Sequence, residues 1–424
     1  MIAVLRQRNF ALLWTAGLIS LIGDWAFYAA MPIFILDRTG SAFQSGLVWA
    51  AIVLPGVFIG PFAGVYVDRW DRRRIMLWGN VVQALAASCL LLVGSSRGVW
   101  VAMAVLLVQA SLYSIYSPAE SALLPTLVGD EYLVTANALN SLNDNIGRVC
   151  GPLVGALLYA WFGIRGIALG NMISFASSAL LVSMVIVTVR AQPAMVSDLV
   201  EPAPESIWQS LRVGTGVVWH NRMLRALFLI IGLVALADGP LTAMLAPFIR
   251  QTLDRSAADF GTFLSFRGIA GILGGLVIAH TARYFREDRL LVACLLFLGI
   301  EIAIFAVVQD YVLTIILMML AGPAIIGQTA MITTMLQRNS ADAFRGRMFS
   351  LVGAFWGVIS LVSIVLGSAA TSFFSPAEIM FGSGILYVGA GVGAVILLAT
   401  PGSRGAGVDV APISGSDENP ARIV

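Results

Sequence analysis

Residues 64–74 read Gly-Val-Tyr-Val-Asp-Arg-Trp-Asp-Arg-Arg-Arg, the densest charge cluster of the chain, wedged between two apolar runs each long enough to cross a bilayer. Four arginines (Arg69, Arg72, Arg73, Arg74) and two aspartates (Asp68, Asp71) need water, so this loop marks one membrane face. Its arginine excess assigns that face to the cytoplasm. Of 424 residues, 59% are hydrophobic and 11% charged, and the mean hydropathy is +0.90; a soluble domain carries roughly 25% charged residues. This is a polytopic membrane protein, with room for about a dozen helices at about 20 apolar residues per crossing.

Working outward from the loop, apolar runs bounded by charges or by Gly/Pro/Ser breaks predict spans at 10–36, 44–67, 75–94, 98–119, 136–162 and 166–189, then 223–249, 259–282, 289–308, 311–337, 348–373 and 376–400. The first is expected to be an uncleaved helix, because it is too long for a signal peptide and contains Asp24. The chain therefore divides into a six-helix bundle at 1–189, a cytoplasmic linker at 190–222 with a surface helix around Ile207 to Trp219, a second bundle at 223–400 and a disordered tail at 401–424. Eighteen arginines fall at the N-terminus, in even-numbered loops or in the tail, and five in the opposite loops, which places both termini in the cytoplasm. The halves repeat at an offset of 215 residues: Pro32 falls on Pro247, Ser41-Ala42 on Ser256-Ala257, Gly46 on Gly261, and Asp24 one residue from the counterpart of Asp238. Two halves of like topology, related by an axis along the membrane normal, predict a cavity between them near the midplane.

Ionisable residues inside spans are costly and become functional candidates. Asp24 and Asp238 lie at nearly equivalent depths and are candidates for proton coupling or for pairing with a buried arginine. Asp144 and Arg148 sit one helical turn apart in a run with Asn140 and Asn143 that is too polar to face lipid. Arg148 offers a positive site for an anionic group or a partner for Asp24, and Arg267 is the expected partner of Asp238. Glu301 is harder to place. Trp25, Phe27, Tyr28, Met31, Trp49, Phe266 and Trp356 supply aromatic and sulfur surface, as cavity lining or as ordinary packing. Cys89, Cys150 and Cys294 read as small core residues without metal-ligand spacing. His220 and His280 have no partners at such spacing, and no phosphate loop or nucleophile elbow occurs, so neither enzyme, metal nor cofactor is expected. The net charge of +2 gives no reason to expect nucleic acid or an acidic partner. That all 25 basic residues are arginine is compositional.

The opening stretch resembles the signature loop between the second and third helices of the major facilitator superfamily, carried here by Gly64, Asp68, Arg69, Arg72 and Arg73. Gly147, Gly151, Pro152 and Gly155 resemble the glycine/proline motif of that superfamily's drug–proton antiporters, with Ala156 and Ala138 standing where the motif has further glycines. Ser117-Pro118-Ala119, Leu124-Pro125, Ala136-Asn137-Ala138-Leu139 and Arg345-Gly346-Arg347 are similar to the branch containing macrolide efflux proteins and the enterobactin exporter. The resemblance covers about residues 8–400. It implies an all-α membrane protein of twelve transmembrane helices in two pseudo-symmetric six-helix bundles. It further implies a monomeric, multi-pass secondary transporter in the lipid of a bacterial cytoplasmic membrane, exporting a small apolar or amphipathic cargo (drug, macrolide or siderophore-like) by proton antiport and alternating access, as in multidrug resistance. The same fold admits a lipid or lysolipid flippase, an importer, or a non-transporting receptor or scaffold. The resemblance also implies that Asp68 contacts a helix end in the other half and locks the cytoplasmic side. The repeat has Ala279 at the position of Gly64 and Arg283 at that of Asp68, so this lock is expected to be single.

Overall fold

A chain this apolar can pair its backbone groups inside a bilayer only within helices or a closed barrel, and every regular element among the described residues is helical. The computed structural model describes residues 2–92, 98–186, 216, 218, 219, 221–340 and 345–398, with the backbone alone at 2, 64–66, 68, 130, 345 and 347. The linker expected at 190–222 falls almost wholly outside the described residues, and the tail at 401–424 falls outside them altogether. Long helices follow one another as α1 (Arg8–Thr39), α2 (Ala42–Phe58), α3 (Gly60–Arg69), α4 (Arg72–Ser88), α5 (Gly98–Val128), α6 (Leu133–Ser183), α7 (Arg222–Pro247), α8 (Ala257–Thr281), α9 (Glu287–Val307), α10 (Tyr311–Arg338), α11 (Arg345–Ala369) and α12 (Pro376–Leu398). Ten helical stretches among the described residues are long and apolar enough to cross a membrane.

Three departures from simple rods matter. The stretch expected as one span at 44–67 is two helices broken at Ile59, where Pro61 brings no N–H to the helix ladder. Conversely, α5 continues through Pro118 and Pro125 to Val128, nine residues past the end expected at 119. Proline is tolerated in membrane helices because neighbouring groups re-satisfy the freed carbonyls. The third departure is α6, 51 residues long, or roughly 77 Å at 1.5 Å per residue, more than twice the ~30 Å hydrocarbon core. It folds back at Gly163, whose φ of 60° and ψ of −152° belong to glycine.

The two arms of α6 run along α1 in opposite directions. In the first arm Asn143 Nδ2 donates to the Trp14 carbonyl at 2.9 Å, and Gly147, Gly151 and Gly155 lie against Leu21, Trp25 and Ala26 in turn. A Cβ on Gly155 would stand 2.3 Å from the Ala26 carbonyl oxygen, so only glycine permits this approach. In the second arm Asn171 Nδ2 donates to the Gly23 carbonyl at 3.1 Å, and Asn9 exchanges two hydrogen bonds of 2.8 and 3.1 Å with the backbone of Ile186.

The internal repeat has physical content at its ends and seams. Ser41 caps α2 by accepting from the Gln44 N–H at 3.3 Å. Its counterpart Ser256 caps α8 and completes a capping box with Asp259. Gly46 packs on Ser368 and Ala243 of the second half, while Gly261 packs on Ala156 and Pro152 of the first. The apolar core of residues 222–398 is one continuous cluster that reaches Ala29, Ile33 and Ala50. That of the first half is split into three clusters. Of the cysteines expected in the core, Cys294 is buried but Cys89 and Cys150 are exposed; a thiol is apolar enough for the outer surface of a membrane helix.

A methyl group added at Gly163 would meet no neighbour within 4 Å, so a substitution there tests the backbone alone. Gly163→Ala is expected to cost about 1–3 kcal/mol, read as a lowered thermal midpoint of the detergent-solubilised protein. An unchanged midpoint would mean that the fold-back does not depend on this dihedral pair.

Candidate functional site

The gap between the first-half core clusters is a polar cavity of about 220 Å³. α1 contributes Gly17, Ser20, Leu21 and Asp24; α4 Asn80 and Gln83; α5 Tyr113, Tyr116, Ser117, Glu120 and Ser121; α6 Asn137, Asn140, Ser141, Asn143, Asp144 and Phe175. Asp24 is 5% exposed, and its Oδ1 has no hydrogen-bond partner. Asn140 Nδ2 donates to Glu120 Oε1 at 3.5 Å, the limit of a hydrogen bond. Glu120 faces Gly17, where a Cβ would stand 3.4 Å from Oε1. One turn from Tyr113 and Phe175 of the lining, the buried Gln109 Nε2 donates to Asn171 Oδ1 at 2.7 Å. The lining holds three carboxylates and no basic side chain.

Asp24, Asn140, Asn143 and Asp144 thus meet at one cavity, but it is lined by the first half alone and does not lie between the halves, where the sequence predicted a cavity. Glu120, Asn80, Gln83 and the two tyrosines were missed. Glu120 lies just past the expected end of its span, but its spacing from Tyr113, Tyr116 and Ser117 is that of one helix face, a signal that was available once Pro118 was read as interior.

The expected charge partners do not form. Ion pairs among the described residues are Arg250–Asp37, Arg286–Asp288 and Arg338–Glu287. Arg148 pairs with neither Asp24 nor Asp144; its guanidinium lies 5.0 Å from the Trp25 ring centre, at the seam where Gly268 of α8 packs on the Arg148 backbone. Asp238 is not ion-paired with Arg267 but accepts from Tyr387 Oη at 3.4 Å and Thr242 Oγ1 at 3.5 Å. Glu301 is buried at 6% exposure.

The aromatic residues expected around a cavity mostly pack elsewhere. Phe27 and Met31 are fully buried in an outer core cluster, Trp49 and Trp356 pack against the second-half core, and Trp25 and Tyr28 meet edge to face at 6.4 Å. Phe266 is half-buried, and none of these residues lines the first-half cavity.

In the opening loop, Asp71 caps α4 by accepting from the Arg74 N–H at 2.9 Å. Arg72 Nη1 donates to the Ala122 carbonyl at 3.1 Å, and Arg73 donates to the carbonyls of Val182 and Ser183 at the end of α6. A cation suits a helix C-terminus, so these arginines bind the loop to its own half. Arg69 is exposed. The side chain of Asp68 and the surroundings of Gly64 lie outside the described residues. In the repeat, Arg283 turns onto the His280 carbonyl at 3.0 Å.

Across residues 1–405 the sequence matches the family described as transmembrane secretion effector. The chain belongs to this family, in the efflux branch of the major facilitator superfamily. Macrolide efflux protein A of Streptococcus pyogenes is 24% identical over 85% of this chain and 89% of its own length. An enterobactin exporter of Shigella boydii is 25% identical over 85% and 83%. Among solved structures, a bacterial homologue of the iron transporter ferroportin in an inward-facing state superposes with a TM-score of 0.71 at 19% identity, covering 93% of this chain and 99% of that one; at that identity it speaks for the fold alone. The relatives in this secretion effector family are multi-pass membrane transporters of small molecules, not enzymes.

This secretion effector is latched between its halves at the end of α1 remote from the N-terminus. Asp37 Oδ1 accepts from Arg250 Nη2 at 2.7 Å and Nε at 3.3 Å, and its Oδ2 accepts from Tyr159 Oη at 3.0 Å. Arg250 sits in a π-helical turn, Phe248–Thr252, that extends α7, and its neighbour Gln251 donates to the Gly40 carbonyl at 3.3 Å. The Asp37 and Arg250 side chains are 29% and 30% exposed, and a pair so placed contributes about 0.2–1 kcal/mol. Asp37→Asn is therefore expected to raise labelling of Ile33→Cys, beneath the latch, by up to about fivefold when a membrane-impermeant maleimide is applied in a background lacking the native cysteines. Labelling that does not change would reduce the pair to a surface contact.

Proposed function

We propose that this secretion effector is a proton-coupled exporter of a small amphipathic molecule in the bacterial cytoplasmic membrane, acting as a monomer by alternating access. With Ala42–Arg69 as one crossing and α6 as two, the chain crosses twelve times, in two six-helix bundles at 1–189 and 223–400 with both termini in the cytoplasm. The observation that carries the reading is Asp24: a carboxylate about 24 Å along α1, at 1.5 Å per residue from Arg8, in a polar cavity and without a partner for Oδ1. Structural carboxylates inside membranes are paired. An unpaired one in a cavity is suited to taking a proton on one side and releasing it on the other. Asp144 opens onto the same cavity and is the next candidate, whereas Asp238 is engaged by Tyr387 and Thr242.

The latch at Asp37 and Arg250 closes the outer side in this arrangement, leaving the inner side for cargo entry. Asp68 carries the inner lock in the alternate arrangement, with Arg72 and Arg73 holding its loop in place. The glycines at 147, 151 and 155 keep α1 and α6 together as one body while the halves rock.

Proteoliposomes with an imposed pH gradient and a cargo panel test the reading. The native chain is expected to move at least one amphipathic cargo in a gradient-dependent way, and Asp24→Asn to reduce this to the level of protein-free vesicles. Transport that keeps its gradient dependence in Asp24→Asn would remove Asp24 as the proton carrier.

A further inference from the structure

We propose that the cytoplasmic side carries a second lock of reversed polarity, in which Arg283 of the α8–α9 loop pairs with Glu131 at the start of α6. The inference rests on the alternating-access reading, because the lock forms when the inner side shuts. It makes double a lock expected to be single.

The repeat exchanges charge at this loop rather than losing it. At the offset of 215 residues Asp68 corresponds to Arg283, Asp71 to Arg286, Arg72 to Glu287 and Arg73 to Asp288. The helix that each loop faces changes sign with it. The span leading to Asp68 packs on α11, where a Cβ on Gly357 would stand 2.8 Å from Val57, and α11 begins Arg345-Gly346-Arg347. The corresponding neighbour of α8 is α6, and at the same offset its start carries Asp130-Glu131. A position whose charge is inverted together with its partner's keeps the attraction. The exchange already holds elsewhere in the loop: Arg72 donates to an α5 carbonyl, whereas Glu287 in its place takes Arg338 of α10 at 2.7 Å.

The packing of α6 on α8 brings the pair to one level. The two helices run antiparallel, with Gly261 on Ala156 and Pro152, and Gly268 on Val149 and the Arg148 backbone. Followed residue for residue towards the N-terminus of α6, this register sets Ala138 opposite Ala279, and Arg283 opposite Val134, one turn from Glu131. The faces that pack at Pro152 and Gly268 continue uncovered in that direction. On α6, Ser141, Ala138 and Val134 share the face of Pro152 and are exposed, Val134 by 82%. On α8, Ile272, Leu276 and Ala279 are exposed on the face of Gly268, Leu276 by 67%. A face holding Ser141 and Asn145 is too polar for lipid, and small and apolar side chains on both sides suit a close helix contact.

The two charges are free to meet. Arg283 Nε donates to the His280 carbonyl at 3.0 Å, its Nη2 contacts His280 Nδ1, and its guanidinium lies 5.2 Å from the Tyr284 ring centre. These contacts all lie in its own loop and the last turn of α8, so turning Arg283 to α6 costs no tie to another helix. Glu131 is exposed, and neither residue is in an ion pair among the described residues.

Disulfide cross-linking of the full-length protein in membranes tests the inference. Ala138→Cys and Ala279→Cys are introduced into a background lacking the native cysteines, with Asp37→Asn added to release the outer side. This pair is expected to cross-link on mild oxidation, and Ala138→Cys with Val277→Cys, on another face of α8, is not. Arg283→Glu and Glu131→Arg, each setting like charges together, are expected to slow the cross-linking by up to about fivefold, the range of an exposed ion pair. The two reversals together should restore it. Rates unchanged by both single reversals, which no folding defect can produce, would overturn the inference. So would the absence of the 138–279 cross-link, or a slowing that the double reversal does not relieve. Cross-linking needs neither gradient nor cargo, so the two readings fail separately. A cross-link with charge-reversal rescue but without gradient-driven transport keeps the lock and removes proton coupling; gradient-driven transport without the rescue removes the second lock alone.

Discussion

The grip of the two arms of α6 on α1 is the constraint on which the first half depends. Lipid offers helices no hydrophobic reward for associating, so close backbone approach and interhelical hydrogen bonds must do it. One arm supplies the glycines at 147, 151 and 155, which admit the Ala26 backbone, and the other supplies Asn171, which bonds the Gly23 carbonyl. The second half solves the same problem with α7 and α11: Gly239 lies against Ser363, whose hydroxyl donates to the Leu236 carbonyl at 2.5 Å, and Gly367 lies against Pro240. Helices held this tightly leave little room to slide past one another.

Near-symmetry of the backbone coexists with asymmetry of the chemistry. Asp24 and Asp238 stand at almost corresponding positions, yet Asp238 is hydrogen-bonded by Tyr387 and Thr242 while Asp24 leaves an oxygen open in a cavity. The first-half core is divided where that cavity sits, whereas the second-half core is continuous. The ties across the seam are also unequal, for Asp37 and Arg250 meet at the end of α1 remote from the N-terminus, and neither has a like-charged counterpart at the repeat offset, where Thr252 and Ile35 stand instead. The polar cavity thus lies in the first half and the continuous apolar core in the second.

Much of the fold was legible from residues read locally. Ser41 and Ser256, which match at the repeat offset, both cap helix starts, and the break expected between 162 and 166 falls at Gly163. Prolines act in both directions: the span expected to end at Ala119, just past Pro118, runs on through Pro118 and Pro125 to Val128, whereas the span containing Pro61 is broken. Whether a proline breaks a membrane helix depends on which neighbour satisfies the freed carbonyl, and that neighbour is distant in sequence. Four of the polar residues expected around a cavity converge on one in the first half, joined by Glu120, which the sequence did not single out; of the pairings considered, Arg148 with Asp24 and Arg267 with Asp238 are not among the ion pairs of the described residues.

The sequence by itself determined that the chain crosses a membrane many times, roughly where its apolar helices begin and end, and that two halves repeat. These follow from hydropathy, length and breaker residues, each a property of a short stretch. Only the tertiary structure decided which side chains face one another: that Arg148 turns to Trp25, that Glu120 joins Asp24, and that Asp37 reaches Arg250. A helix apolar on nearly every side carries no amphipathic stripe to announce its rotation. In a bilayer that rotation is set by close packing against neighbours, so the charge of the cavity emerges only when all the helices are in place.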